Sequence, residues 1–244
     1  MSSIEVLDLR KCFVDNLTGL EIAALDNLSF SCNPGLVYGL IGPNGSGKTT
    51  CLRVLSGVIR PTIGMVKVAG IDVVNDFDNV RHKVGYVSST AQPYNHLTPK
   101  EFLLYCGGLA RVKDLDKRVR VLIQQLRIEE FQDRLCGALS TGMKQRVVIA
   151  KALVHEPEVL LFDEPTVGLD ILSRRDVLDL LVALKSAGRT ILYSTHIPEE
   201  AERLCDHLMI MLKGQLIAKG SPCDILKKSG ASNLEDALIN LLKP

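Results

Sequence analysis

"LVYGLIGPNGSGKTT", residues 36–50, decides the fold of this chain. The near-continuous apolar run LVYGLIG is what a strand buried on both faces of a parallel sheet requires. It leads into a glycine loop, and "TTCLRVLSGVI" beyond the loop has helical spacing at Leu52, Leu55 and Ile59. The order is strand, loop, helix. The loop itself, GPNGSGKT at 42–49, fits the pattern G-x-x-x-x-G-K-[ST]. Gly42, Gly45 and Gly47, with Pro43, Asn44 and Ser46 between them, let the backbone wrap a phosphate. Successive N–H groups and the helix N-terminus supply the positive potential. Lys48 reaches the β- and γ-phosphates and the Thr49 hydroxyl coordinates Mg²⁺, with Thr50 as the next contact. Strand before and helix after are the context this motif needs, and it predicts binding of a nucleoside triphosphate.

Around this unit the first third reads as strands: SIEVLDL, LDNLSFSC and the alternating GMVKVAG. The middle is helical. TPKE at 98–101 is a capping box, with Thr98 as N-cap and Pro99 at the first helical position. The segment 114–128 sets Val119, Leu122, Ile123 and Leu126 on one face, a core stripe. The last third alternates again: a strand VLLF, a helix 173–187 stopped by Gly188, a strand TILYSTH, a helix 198–207 and a hairpin. Alternation at both ends with helices inserted between predicts an α/β core and a helical lobe.

The bulk numbers exclude several classes. The 244 residues, 46% hydrophobic and 23% charged, describe an ordinary globular chain. A net charge of +1 gives no reason to expect a nucleic-acid partner. The seven scattered cysteines form no CxxC pair, which predicts neither disulfides nor zinc and points to a reducing compartment. MSSIEVLDLR lacks the features of a signal peptide, and no apolar run approaches the ~20 residues of a membrane span. The expectation is a cytosolic chain whose membrane role, if any, comes through a partner.

Three further stretches carry chemistry. VLLFDE, 159–164, delivers two carboxylates to a strand end: Asp163 suits Mg²⁺ and Glu164 suits an attacking water. STH, 194–196, ends the next strand in His196, at the sheet edge where open α/β proteins bind ligands. LSTGMKQR, 139–146, reads equally as a plain helix capped by Ser140 or as a second anion site beside Gly142. Lys144 and Arg146 are expected to be solvated or packed on the lobe surface.

Together these stretches resemble the ATP-binding subunit of an ABC transporter, over essentially the whole chain. GPNGSGKT corresponds to Walker A, LSTGM to the signature, VLLFDE to Walker B, GLD at 168–170 to the D-loop and His196 to the switch histidine. The resemblance implies a P-loop (RecA-like) core with an N-terminal antiparallel β-subdomain and an inserted helical subdomain. The divisions expected are 1–88 with 151–220 for the core, 89–150 for the helical subdomain and 221–244 for a C-terminal helical tail. It also implies a homodimer, or a pair with a related ATPase subunit, in which Ser140 and Gly142 contact a nucleotide held by the other chain. Glu164 would be the catalytic base and His196 a γ-phosphate contact, with ATP and Mg²⁺ as cofactors. Phe13 falls where the family stacks adenine, a core phenylalanine being the other reading.

The implied partner is an integral membrane permease, which would hold the chain peripherally on the inner face of the cell membrane. Two departures stand out: LSTGM replaces the commonest LSGGQ, and Ser89 occupies the Q-loop glutamine position, with Gln92 three residues late. In these features the chain is similar to the NatA type, ATPases of two-component sodium exporters. Drug, lipid or peptide export stays open. A non-transport member of the superfamily is disfavoured by the single cassette without heptads, a GTP switch by the missing NKxD motif, and a binding-only cassette by Glu164.

Overall fold

Every second residue of the deepest strands faces a different hydrophobic core, which is why their sequences read as unbroken apolar runs. The computed structural model describes residues 2–242. From the N-terminus, β1 (Ile4–Val14) and β2 (Glu21–Cys32) form a long antiparallel pair. β3 (Val37–Ile41) leads through the glycine loop into α1 (Lys48–Leu55). β4 (Ile63–Val68), β5 (Ile71–Asp72), α2 (Phe77–Lys83) and β6 (Val84–Val87) come next. The helical stretch comprises α3 (Pro99–Leu109), α4 (Leu115–Gln125) and α5 (Thr141–Leu153). The chain then alternates through β7 (Val159–Asp163), α6 (Ile171–Ser186), β8 (Thr190–Thr195), α7 (Pro198–Leu204) and β9 (His207–Leu212). β10 (Gln215–Gly220), α8 (Pro222–Ser229) and α9 (Leu234–Leu242) complete it.

Two sheets result. One is antiparallel, in the order β2-β1-β4-β5; the other runs β10-β9-β3-β8-β7-β6 and is parallel except for the β9–β10 hairpin. On the larger sheet, Ile41, Leu160, Phe162, Ile191, Leu208 and Ile210 face a core shared with α3 to α7. Their neighbours Leu40, Leu161, Leu192, Met209 and Met211 face a second core shared with β1, β2 and β4. Helix α1 sits in that second core, burying Cys51, Leu52, Val54 and Leu55 between the two sheets. Fully burying one such Leu contributes about 1.5–3 kcal/mol relative to exposure.

The capping signals act as their chemistry dictates. Thr98 and Glu101 exchange hydrogen bonds in a complete capping box on α3. Ser140 caps α5 by accepting the Met143 N–H at 3.3 Å, a contact of a kind worth ~1 kcal/mol. Some boundaries differ from the sequence expectation. The helix predicted through Ile59 ends at Leu55, because Gly57 takes a left-handed φ of 68° and turns the chain out. α6 begins at Ile171 rather than 173, because Asp170 caps it with bonds from the Leu172 and Ser173 N–H groups at 3.0 Å. α7 stops at Leu204 instead of 207, since Cys205 is extended at the approach to β9. All seven cysteines are free. No helix of the described residues is long and apolar enough to cross a membrane.

Candidate functional site

The glycine loop, Asp163, Glu164 and His196 meet because β3, β7 and β8 are adjacent parallel strands that all end on one edge. Parallel sheets place ligand sites there for geometric reasons: loops and helix N-termini converge on that edge. Gly47 enters α1 at φ 105°, and a Cβ there would lie 2.6 Å from the Ala24 carbonyl oxygen, so only glycine fits. A Cβ on Gly42 would lie 2.3 Å from the Met211 carbonyl oxygen. Pro43, Asn44 and Gly45 form the exposed crown, and Thr50 lies half-buried in the first turn of α1.

Lys48 is 5% exposed. Its Nζ donates to the carbonyl oxygens of Gly42 at 2.7 Å and Pro43 at 3.2 Å. It also lies 3.3 Å from Glu164 Oε1, while Glu164 Oε2 lies 3.1 Å from His196 Nδ1. Glu164 is thus shared between the loop lysine and the histidine of the next strand. Its backbone is left-handed, φ 48°, and its N–H donates to the Ser194 carbonyl oxygen at 3.2 Å and Oγ at 3.1 Å.

Asp163 is buried and accepts hydrogen bonds from Thr49 Oγ1 at 3.1 Å and Ser194 Oγ at 2.9 Å. Tyr86 OH, from β6, donates to its other oxygen at 3.4 Å. Burial and the Asp163 charge push the Tyr86 phenol up, so it remains a donor. Ser46 Oγ is buried with no hydrogen-bond partner among the described residues. An orphaned hydroxyl in a cradle of backbone N–H groups is what a phosphate oxygen would satisfy. One carboxylate beside one hydroxyl is the sparse donor set that Mg²⁺ takes when phosphates and water complete its shell. The residues present therefore fit a nucleotide with Mg²⁺.

Ser140 and Gly142 lie apart from this group. They line a cavity of about 650 Å³ with Arg127, Glu129, Glu130, Arg146 and Ser173, to which none of Gly42–Thr50, Asp163, Glu164 or His196 contributes. A Cβ on Gly142 would lie 2.3 Å from Ser173 Oγ, so α5 and α6 touch at this point. Arg146 is packed on the lobe surface, the second of the two readings: it pairs with Asp176 of α6 and donates to the Arg127 carbonyl oxygen at 3.3 Å. Phe13 is 45% exposed on β1, so the core reading is overturned. Lys11 Nζ lies 4.9 Å from its ring centroid. Ser89 and Gln92 are both exposed.

A profile of the ABC transporter family matches residues 25–167. The chain belongs to the ABC transporter family, as an ATPase cassette. Among curated ABC relatives, the ABC transporter ATP-binding protein NatA of Bacillus subtilis is 36% identical over 210 residues, 82% of each chain. A Nod factor export ATP-binding protein I of Cupriavidus metallidurans is 35% identical over 248 residues, covering 99% of this chain and 78% of that one. Among solved structures, an ATP-binding subunit of an ABC transporter superposes with TM-score 0.84 at 30% identity, over 99% of this chain and all of that one. A bacterial ABC transporter cassette solved as a dimer gives TM-score 0.80 at 26% identity, covering 89% and 98%. The ABC fold expected from sequence is the fold observed. Sequence reasoning missed Ser194 and Tyr86 as partners of Asp163. The signal for Ser194 was a polar residue inside the buried run ILYST.

Proposed function

We propose that the chain is the ATP-hydrolysing motor of an exporter, closing head to tail with a second copy or a related subunit around two ATP molecules. The observation that carries this reading is the Lys48–Glu164–His196 chain of contacts at the shared strand edge, 3.3 and 3.1 Å long. Lys48 holds the β- and γ-phosphates, displacing Glu164 from its ammonium. Glu164, released, accepts a proton from the attacking water, and His196 donates to the γ-phosphate. Thr49 and Asp163 hold Mg²⁺, which when bound neutralises charge on the phosphate oxygens. Ser46 gives its unpartnered hydroxyl to phosphate. Phe13 stacks on adenine in place of the Lys11 ammonium.

The separation of the Ser140–Gly142 cavity from this group supports the paired arrangement. A helix N-terminus capped by Ser140, with Gly142 beside it and placed away from the chain's own phosphate loop, suits a phosphate presented by another chain. The helical segment 89–150 would then carry the motion to an integral membrane permease. In this reading the chain works on the inner face of the cell membrane, and the described part of the C-terminal tail, 221–242, packs against the core through Ile225, Leu234 and Leu238.

Sodium ion efflux is the cargo we favour, on the similarity to NatA. Export of another cargo is the second reading, favoured by the Nod factor export relatives at nearly equal identity. The deciding experiment purifies the chain with its membrane partner and reconstitutes the complex in vesicles. ATP-driven sodium movement, lost in Lys48→Ala together with phosphate release, is the expected result. Near-normal phosphate release from Lys48→Ala would refute the site, and ATP hydrolysis without sodium flux would refute the cargo.

A further inference from the structure

His196 follows β8 directly, and the turn it begins is held by a carboxylate that the proposed chemistry does not use. Glu200, on α7, is a carboxyl side chain only 3% exposed, set beside the buried Tyr193 and Thr195. Its Oε2 accepts two hydroxyl hydrogen bonds, from Tyr193 at 2.7 Å and from Thr195 at 2.8 Å. Thr195 immediately precedes His196, and its Oγ1 also accepts the Ile197 N–H at 3.0 Å. The two residues flanking His196 are therefore tied through one hydroxyl to one carboxylate oxygen.

The same carboxylate reaches two other segments. Tyr193 gives its single proton to Glu200, so Thr166 Oγ1, 3.4 Å away, must donate to the phenol oxygen. Thr166 lies two residues after Glu164. Burial, reinforced by the Glu200 charge, holds the Tyr193 phenol well above its usual range and keeps it a donor. The second oxygen of Glu200, Oε1, faces Arg174 Nε at 3.7 Å. Both atoms are buried and have no other partner among the described residues. Arg174 belongs to the first turn of α6, one residue after Ser173, which touches Gly142.

A buried carboxylate is costly to desolvate, and here the two hydroxyls and the Arg174 guanidinium around Glu200 offset that cost. Its three connections converge on the turn that carries His196. We infer that Glu200 is a positioning residue for His196, acting through the Thr195 hydroxyl and setting that turn against the 164–166 segment and α6. This inference rests on the ATPase reading for its kinetic consequence but not for its geometric one. Arg174 is 39% exposed, so water can reach its guanidinium in a variant that lacks the carboxylate. Glutamine at this position keeps a carbonyl oxygen for both hydroxyls, whereas alanine keeps neither.

The test combines steady-state ATPase kinetics with the His196 ring resonance in nucleotide-free protein, identified by its loss in His196→Ala. Glu200→Ala is expected to lower kcat by about 10- to 100-fold with KM for ATP within about twofold. Placed on His196→Ala, it should cost nothing more, because the group it positions is gone. Glu200→Gln should restore kcat to within about threefold of wild type and leave the His196 resonance in place, whereas Glu200→Ala moves it. An equal loss from Glu200→Ala in both backgrounds, or an unmoved His196 resonance, would overturn the positioning role. Wild-type protein that hydrolyses no ATP would count against the ATPase reading, and the resonance alone would then decide the role of Glu200.

Discussion

Replacing Glu164 by Gln should make the nucleotide-free protein less stable and its affinity for ATP higher. The side chain is 18% exposed and lies 3.3 Å from an ammonium that is 5% exposed, so little solvent screens the pair. A hydrogen bond to a charged group contributes ~1.5–3 kcal/mol and a neutral one about half of that. Glutamine still offers Lys48 a carbonyl, and Gly42 and Pro43 keep their bonds to it, so the net loss is about 1–1.5 kcal/mol. For a chain of this size that lowers Tm by about 3–5 °C. Phosphate oxygens replace the carboxylate around Lys48 once ATP binds, so the loss is confined to the free protein. The difference appears as roughly tenfold tighter ATP binding, since ~1.4 kcal/mol is one decade. Thermal melting without nucleotide, and calorimetric titration with ATP while Mg²⁺ is withheld, measure the two halves. A variant that melts with wild type and binds ATP no more tightly would refute the competition between Glu164 and phosphate for Lys48.

Two further outcomes test other parts of the molecule. Gly85→Ala places a Cβ 2.4 Å from the Ala152 carbonyl oxygen and 2.8 Å from Leu160, contacts that cannot give without moving α5 off β6. The overpacking should cost ~1–3 kcal/mol, read as a lower midpoint in urea. His155 is held below its ordinary 6.5 by burial, against an opposing hydrogen bond with the Val84 carbonyl oxygen. The unfolded chain therefore takes up this proton first, and stability falls as pH drops below 6.5 towards the folded value. His155→Gln should flatten that dependence, and urea midpoints as steep with pH as those of wild type would count against it.

The strand–loop–helix unit and the ends of β7 and β8 were legible because both faces of each strand are buried, which makes their sequences mostly apolar and lets the polar residues at their ends stand out. The Thr98 and Ser140 caps were legible because capping is local chemistry. Other features depend on contacts far along the chain. β2 starts at Glu21, but its first residues are exposed, so no alternation marks them. α6 begins with Ile171 and Leu172, both strongly exposed, and two outward apolar residues disguise the period of the helix. The depth of Glu200 is invisible in PEEAER, which reads as a solvated charged turn. Only the fold brings Tyr193, Thr195 and Arg174 around it. The Lys48–Glu164 pair joins the start of α1 to the residue just after β7, 116 positions apart, and no sequence spacing announces it.

Helix α1 lies between two sheets, with Cys51, Leu52, Val54 and Leu55 wholly buried. Its amides should exchange with solvent only when the whole molecule opens, whereas turns such as 88–92 should exchange early. The cradle for phosphate is therefore ordered before any ligand arrives. Binding recovers little disorder at that point, so most of the contact energy remains available as affinity.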